Sequence, residues 1–151
     1  MTRPSHIFTA ALLLAFTVRL AAQDAAAEKE QKSLQGNWDV TSAVIGGEES
    51  GVLKDGKVTF VFQKDKFTVK REDKVLAETS FTLALDAMPR LIDIKALSGD
   101  MKGATFQGIY ELKENDLKLC LNLQGKDRPT EFVSKAGEQG VILILLKRIK
   151  E

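Results

Sequence analysis

The chain has a single cysteine, Cys120, so no disulfide can form within it and its fold must be held by its apolar core. It has a single histidine, His6, near the N-terminus. A product that has lost its first residues therefore has no Cys–His or Ser–His–Asp catalysis and no zinc site built on imidazoles. Neither sign of charge is in excess: 22 Lys+Arg face 21 Asp+Glu, a formal net charge of +1. A nucleic-acid binder normally carries a strong basic excess, and no basic patch with interleaved aromatics is present. No apolar run reaches the roughly 20 residues of a membrane-spanning helix. Phosphate loops, dinucleotide glycine patterns, calcium loops and clustered metal ligands are also missing, so the sequence implies no cofactor and no metal.

What is present begins with a targeting pattern. Arg3 and His6 precede an apolar run from Ile7 to Val18, and Ala21 and Ala22 follow. A basic start, a short apolar middle and small residues at the cut describe a secretory signal, although Arg19 sits awkwardly close to the cut. The expectation is a signal peptide over residues 1–22, cut after Ala22. An uncleaved anchor is the alternative. Cleavage leaves an exported protein, periplasmic or extracellular, with no membrane attachment. It removes two arginines, the histidine and no acid, so 20 Lys+Arg then face 21 Asp+Glu, a net charge of −1. No cysteine near the cut could carry a lipid. Residues 23–33 are polar and Ala-rich. Their composition favours helix, but they lack an apolar face and a helix so short is marginal alone, so they read as a flexible leader.

From Leu34 onward the apolar period becomes two. Trp38, Val40, Ser42 and Val44 alternate with Asp39, Thr41 and Ala43 before Gly46-Gly47 breaks the pattern. Strands follow over Val58–Gln63, Phe67–Lys70, Ala77–Leu85 and Ile92–Ile94, with turns at Lys64-Asp65 and Glu72-Asp73-Lys74. Phe106–Leu112 and Leu117–Leu123 flank a turn at Glu114-Asn115-Asp116. Thr130–Ser134 reads as a short strand, and Val141–Leu146 as a strand covered on both faces because it is continuously apolar. About nine short strands without a helical period between them predict an all-β domain over residues 34–151. Closure removes exposed strand edges, so the expected form is an antiparallel up-and-down barrel of about 8–9 strands, with a sandwich as the alternative.

Several segments carry a likeness. Leu34-x-Gly36-x-Trp38-x-Val40, Gly108–Leu112, Leu117-x-Leu119-Cys120, Arg128–Phe132 and Leu146–Arg148 occur in that order. Together they resemble a lipocalin-like domain family of unknown function, abundant in planctomycete exported proteins. The resemblance spans residues 34–148. It implies a lipocalin-like (calycin-type) barrel behind a signal peptide and brings no activity, ligand or catalytic residue with it. It further implies barrel closure by Gly36, Trp38 and Arg148, with the arginine lying over the tryptophan ring.

The remaining candidates come from the residues themselves. Phe60, Phe62, Phe67, Phe81, Phe106 and Tyr110 would line the cup of a carrier for a small hydrophobic molecule, which predicts a cavity of roughly 300–1,000 Å³. Arg128 has the planar fork to clamp a carboxylate or phosphate, or else to form an ion pair with a neighbouring strand. Cys120 reads as a small buried hydrophobe rather than a reactive thiol. Asp39, Asp93, Glu111 and Glu131 alternate with apolar residues, as solvent-facing positions do, so no catalytic residue is assigned and the domain reads as non-enzymatic. Two functions stay open. One is an exported carrier with a ligand in the barrel. The other is a protein-interaction or envelope module whose barrel is filled and empty of ligand, as small barrels often are.

Overall fold

The computed structural model describes residues 10–125 and 127–150, with side chains from residue 19 onward except residue 126. The first nine residues of the expected signal lie outside this range. A long helix, α1 (Ala10–Leu34), leads into β1 (Gly36–Ile45), β2 (Glu48–Glu49) and a one-turn helix, α2 (Gly51–Lys54). Seven strands follow: β3 (Val58–Gln63), β4 (Lys66–Arg71), β5 (Lys74–Ala84), β6 (Arg90–Ala96), β7 (Thr105–Lys113), β8 (Asp116–Asn122) and β9 (Val141–Arg148). No helix among the described residues is long and apolar enough to cross a membrane.

The strands pair antiparallel in the order β1-β3-β4-β5-β6-β7-β8-β9, and β9 returns to pair with β1. This closes an eight-stranded barrel, with β2 as a ninth strand attached to β1. Period-two burial drives closure. Val58, Phe60 and Phe62 of β3, Leu117, Leu119 and Leu121 of β8, and Ile142, Ile144 and Leu146 of β9 all point inward and are buried. The hairpin turns place Lys64, Glu72 and Glu114 in the left-handed region, at φ of 56°, 53° and 49°.

Three expectations are corrected at the level of local structure. In β1 the register against β9 slips between Val40 and Ser42, so Thr41 is an extra residue. Ala43 rather than Val44 therefore completes the inward row. Thr130–Ser134 is not a strand. Asn122 and Val141 pair directly, so β8 and β9 leave no place in the sheet for a strand between them. Pro129 also removes a backbone donor from that segment. In β9 the outward residues Val141, Leu143 and Leu145 are half-buried rather than fully covered.

Residues 23–33, expected as a flexible leader, form the last turns of α1. A helix without an apolar face holds here because its C-terminal end is capped. The last four carbonyls of a helix have no partner within it. In α1 each of them takes a donor. Gln35 gives its side-chain Nε2 to Gln31 O and its backbone N–H to Lys32 O. Arg148 Nη2 donates to Ser33 O and Trp38 Nε1 to Leu34 O. Leu34 itself is buried in the core. The same end of the barrel receives the β3–β4 turn, where Gln35 Nε2 donates to Lys64 O. We call it the closed end. Strand β4 runs from this end to Arg71 at the far end.

Candidate functional site

Four of the six aromatic residues assigned to a cup meet one another. Phe67 of β4 stacks on Phe60 and Phe62 of β3, at 5.3 Å and 4.9 Å between ring centroids. Phe62 also meets Phe81 of β5 edge-on at 5.5 Å. These placements follow from register, since Phe62 pairs with Phe67 across β3 and β4. All four rings are buried. Phe106 lies apart, with Ile94 of β6 paired to it on one side and to Phe81 on the other. Ile92, Ile94, Leu119 and Ile144 join the same buried cluster.

Tyr110 points inward at the closed end, and its hydroxyl donates to Glu30 Oε1 of α1 at 3.3 Å. Arg90 Nη1 donates to the same carboxylate oxygen and forms an ion pair with it. Burial raises the tyrosine pKa well above its ordinary value, and the Glu30 charge adds to the effect. Glu30 was not a sequence candidate because it sits in the supposed leader. Its partners are 60 and 80 residues away, so no local pattern signals it.

Beside Tyr110, the closed end is completed by Trp38 and Arg148. The guanidinium carbon lies 4.2 Å from the centre of the Trp38 ring, and Nη1 donates to Gln35 O at 2.6 Å. Gly36 stands against this group, since a Cβ there would come 3.4 Å from Arg148 Nη1. Its φ of +113° also suits glycine.

Arg128 does not join the interior. It lies on the outer wall, where Nη1 donates to Ile92 O and Gly108 O and Nη2 pairs with Asp93 Oδ1 at 2.6 Å. The reason is register: Ile92 and Ile94 fill the inner face of β6, so Asp93 faces out. The fork therefore clasps the segment between β8 and β9 onto the wall, the ion-pair reading of this residue. Ser134 adds a second clasp, accepting from Gly46 N–H and donating to Val141 O. Lys118 lies 5.2 Å from the Phe132 ring centre and adds a third. Under this segment Cys120 is buried, with Sγ 3.7 Å from Val133 O, and burial raises the thiol pKa. A raised pKa keeps the thiol protonated and poorly nucleophilic.

The acids singled out by alternation are spread over the outside. Asp39 accepts from Thr59 Oγ1, Glu111 pairs with Lys113 and Lys118, and Glu131 pairs with Lys135. The hydrogen bond from Lys113 holds the Glu111 carboxyl below its ordinary pKa. No group of three or more metal-ligating side chains occurs among the described residues.

Two clefts open at the surface. One of about 820 Å³ runs between α1 and the end of β5, with Ala26, Ala27, Leu83 and Leu85 on its walls and Arg19, Leu20 and Ala22 at one edge. Another, of about 610 Å³, is a polar cleft bounded by the β8–β9 segment. No family model matches the chain, and neither the curated proteins nor the solved structures give a match.

Proposed function

We propose that this chain is a non-enzymatic, exported binding module of lipocalin-like form, acting through its outer surface around a barrel filled by its own side chains. The observation behind this reading is the stacking of Phe60, Phe62, Phe67 and Phe81 on one another. Rings at those separations are satisfied by each other, and such pairs add about 0.5–1.5 kcal/mol beyond their area burial. A guest would have to break them.

Export rests on the sequence pattern of residues 1–22. The mature protein recovered from its own cells should begin at Gln23, and intact-mass measurement reads this directly. A mass that retains residues 1–22 argues for the anchor instead.

The carrier reading draws on a different observation, the apolar cleft between α1 and β5. That cleft borrows Arg19, Leu20 and Ala22, which the cut after Ala22 would remove. The test is titration of the mature protein with the apolar fluorophore N-phenyl-1-naphthylamine, alongside native mass spectrometry of protein from its own source. Absence of saturable uptake and a bare mass support the filled module. Saturable uptake, or a copurified small molecule released only on unfolding, sinks it in favour of the carrier.

A further inference from the structure

Each barrel strand turns alternate residues outward, where they meet solvent. Among the described strand residues, Ile109 of β7 and Cys120 of β8 are the two outward-facing ones that are fully buried. They pair across the ladder. The row continues to Leu91 of β6 on one side and to Leu143 of β9 on the other, both half-buried. An apolar band therefore crosses the outer wall, and the β8–β9 connection lies over its middle. Arg128 donates to Gly108 O beside Ile109, Cys120 Sγ meets Val133 O, and Phe132 lies against Lys118. The connection spans residues 123–140 and carries no helix or strand among its described residues. Connections beyond about 12–15 residues without such structure are uncommon in compact domains, and the ordered ones serve mostly as lids or binding loops.

Residues 127–140 are fastened in a different way from the barrel. None of them belongs to the hydrophobic core, and the one that is fully buried is the polar Ser134. Backbone hydrogen bonding joins the segment to its surroundings at one end, where Leu123 N–H donates to Gly140 O. The other ties run through side chains. Arg128 holds Asp93 and two carbonyls, Ser134 holds Gly46 N–H and Val141 O, and Asn122 donates to Asp127 O. Beneath the segment the ladder is complete, since Leu121 pairs with Ile142 and Asn122 with Val141. The barrel thus closes without it. Gly125 and Gly140, at φ of 69° and 99°, bracket the segment and suit a hinge. A region with few buried apolar contacts opens at the low end of a protein's stability range.

We infer that residues 127–140 form a hinged cover that lifts from the outer wall while the barrel stays folded, uncovering the apolar band through Ile109 and Cys120. Closed, the cover keeps that band from water. Open, it turns a polar flank of the barrel into an apolar one. The motion does not depend on what the module binds.

Cys120 is a built-in reporter, the one thiol of the chain and fully buried against Val133 of the cover. The test is its labelling by dithionitrobenzoate in the mature chain, at urea concentrations below the unfolding transition. The expected rate is about a hundredfold above what global unfolding permits, and nearly flat in urea because lifting the cover exposes little surface. It should stay well below the rate in the urea-unfolded chain. Backbone amides of Ile109 and Cys120 should meanwhile resist hydrogen exchange, since their ladder is intact. Two variants separate the cover from the barrel. Arg128→Gln removes the main clasp and should speed labelling by at least about tenfold. Phe67→Leu loosens the interior stack, so it should lower the urea midpoint and leave labelling at low urea unchanged. If Arg128→Gln does not fold, Asp93→Asn removes the same ion pair from an outward position and should also speed labelling. Labelling that tracks global unfolding, labelling as fast as in the unfolded chain, or no acceleration by a clasp variant overturns the inference. So does acceleration by Phe67→Leu in step with its lost stability, which would make cover and barrel one unit.

Discussion

Arg148, in β9, caps α1 by donating to Ser33 O and also holds Gln35 O just beyond that helix, while its face covers Trp38. One side chain thus joins β9, β1 and α1. Removing it leaves one helix carbonyl, Ser33 O, and Gln35 O beyond the helix without donors, and exposes the tryptophan ring. Arg148→Ala should lower stability by about 2–3 kcal/mol, from a charge-assisted hydrogen bond and a half-buried cation–π contact. Arg148→Lys should recover only part, because an ammonium cannot serve two carbonyls and the ring in one plane. Urea unfolding measures both, and helical signal lost before the main transition would locate the damage in α1.

Phe67 sits between Phe60 and Phe62 at the middle of the interior stack. Phe67→Ala should cost about 3–5 kcal/mol, the range for deleting a buried aromatic ring. The vacated space gives a second readout. The filled-barrel reading expects this variant, unlike the parent chain, to take up a small apolar probe such as benzene. Uptake by the parent to the same extent would contradict it.

Gly108 on β7 faces the interior where β8 approaches closely. A methyl group there would come 2.4 Å from Leu121 Cδ2 and 2.7 Å from Cys120 O. The leucine can rotate away but the carbonyl belongs to the ladder. Gly108→Ala should therefore destabilise by about 1–3 kcal/mol despite the better intrinsic preference of alanine for ordered structure. Thermal unfolding of the variant at neutral pH reads the effect, and an unchanged midpoint would show that β7 and β8 can part without cost.

Tyr110 links stability to pH. Its folded pKa is raised from the ordinary value of 10.0, by burial first and by Glu30 second. Below pH 10 the hydroxyl is neutral in both states and its contribution is intact. Above pH 10 the unfolded chain ionises first, so stability falls as pH rises, by up to about 1.4 kcal/mol per pH unit for one proton. Denaturation midpoints should slope downward as pH rises past 10 in the parent chain and less steeply in Tyr110→Phe. Equal slopes would mean that the hydroxyl is not held neutral in the fold.

Period-two alternation made most of the barrel legible: the rows through Phe60, Leu119 and Ile144 are where the pattern puts them. It failed where one residue breaks the count, as at Thr41, because a bulge shifts the faces without changing composition. It failed again at Thr130–Ser134, where the ladder of β8 with β9 decides and no local feature shows it. The helical end of the leader was hidden for a third reason. Gln31 and Lys32 are capped by Gln35, Leu34 by Trp38 and Ser33 by Arg148, more than a hundred residues on, so part of the helix cap depends on closure of the barrel. Arg128 looked like a ligand group because its clasp on Asp93 spans 35 residues.

The junction of α1 with the barrel also determines how the molecule would respond to tension. A pull on α1 reaches β1 at Gly36 and acts on that strand, between its ladders to β3 and β9. Bonds in the two ladders would then be strained together, in shear, instead of opening one after another. Arg148 adds a direct strut from helix to β9. A chain held through its helix would thus carry load across both ladders of β1 at once.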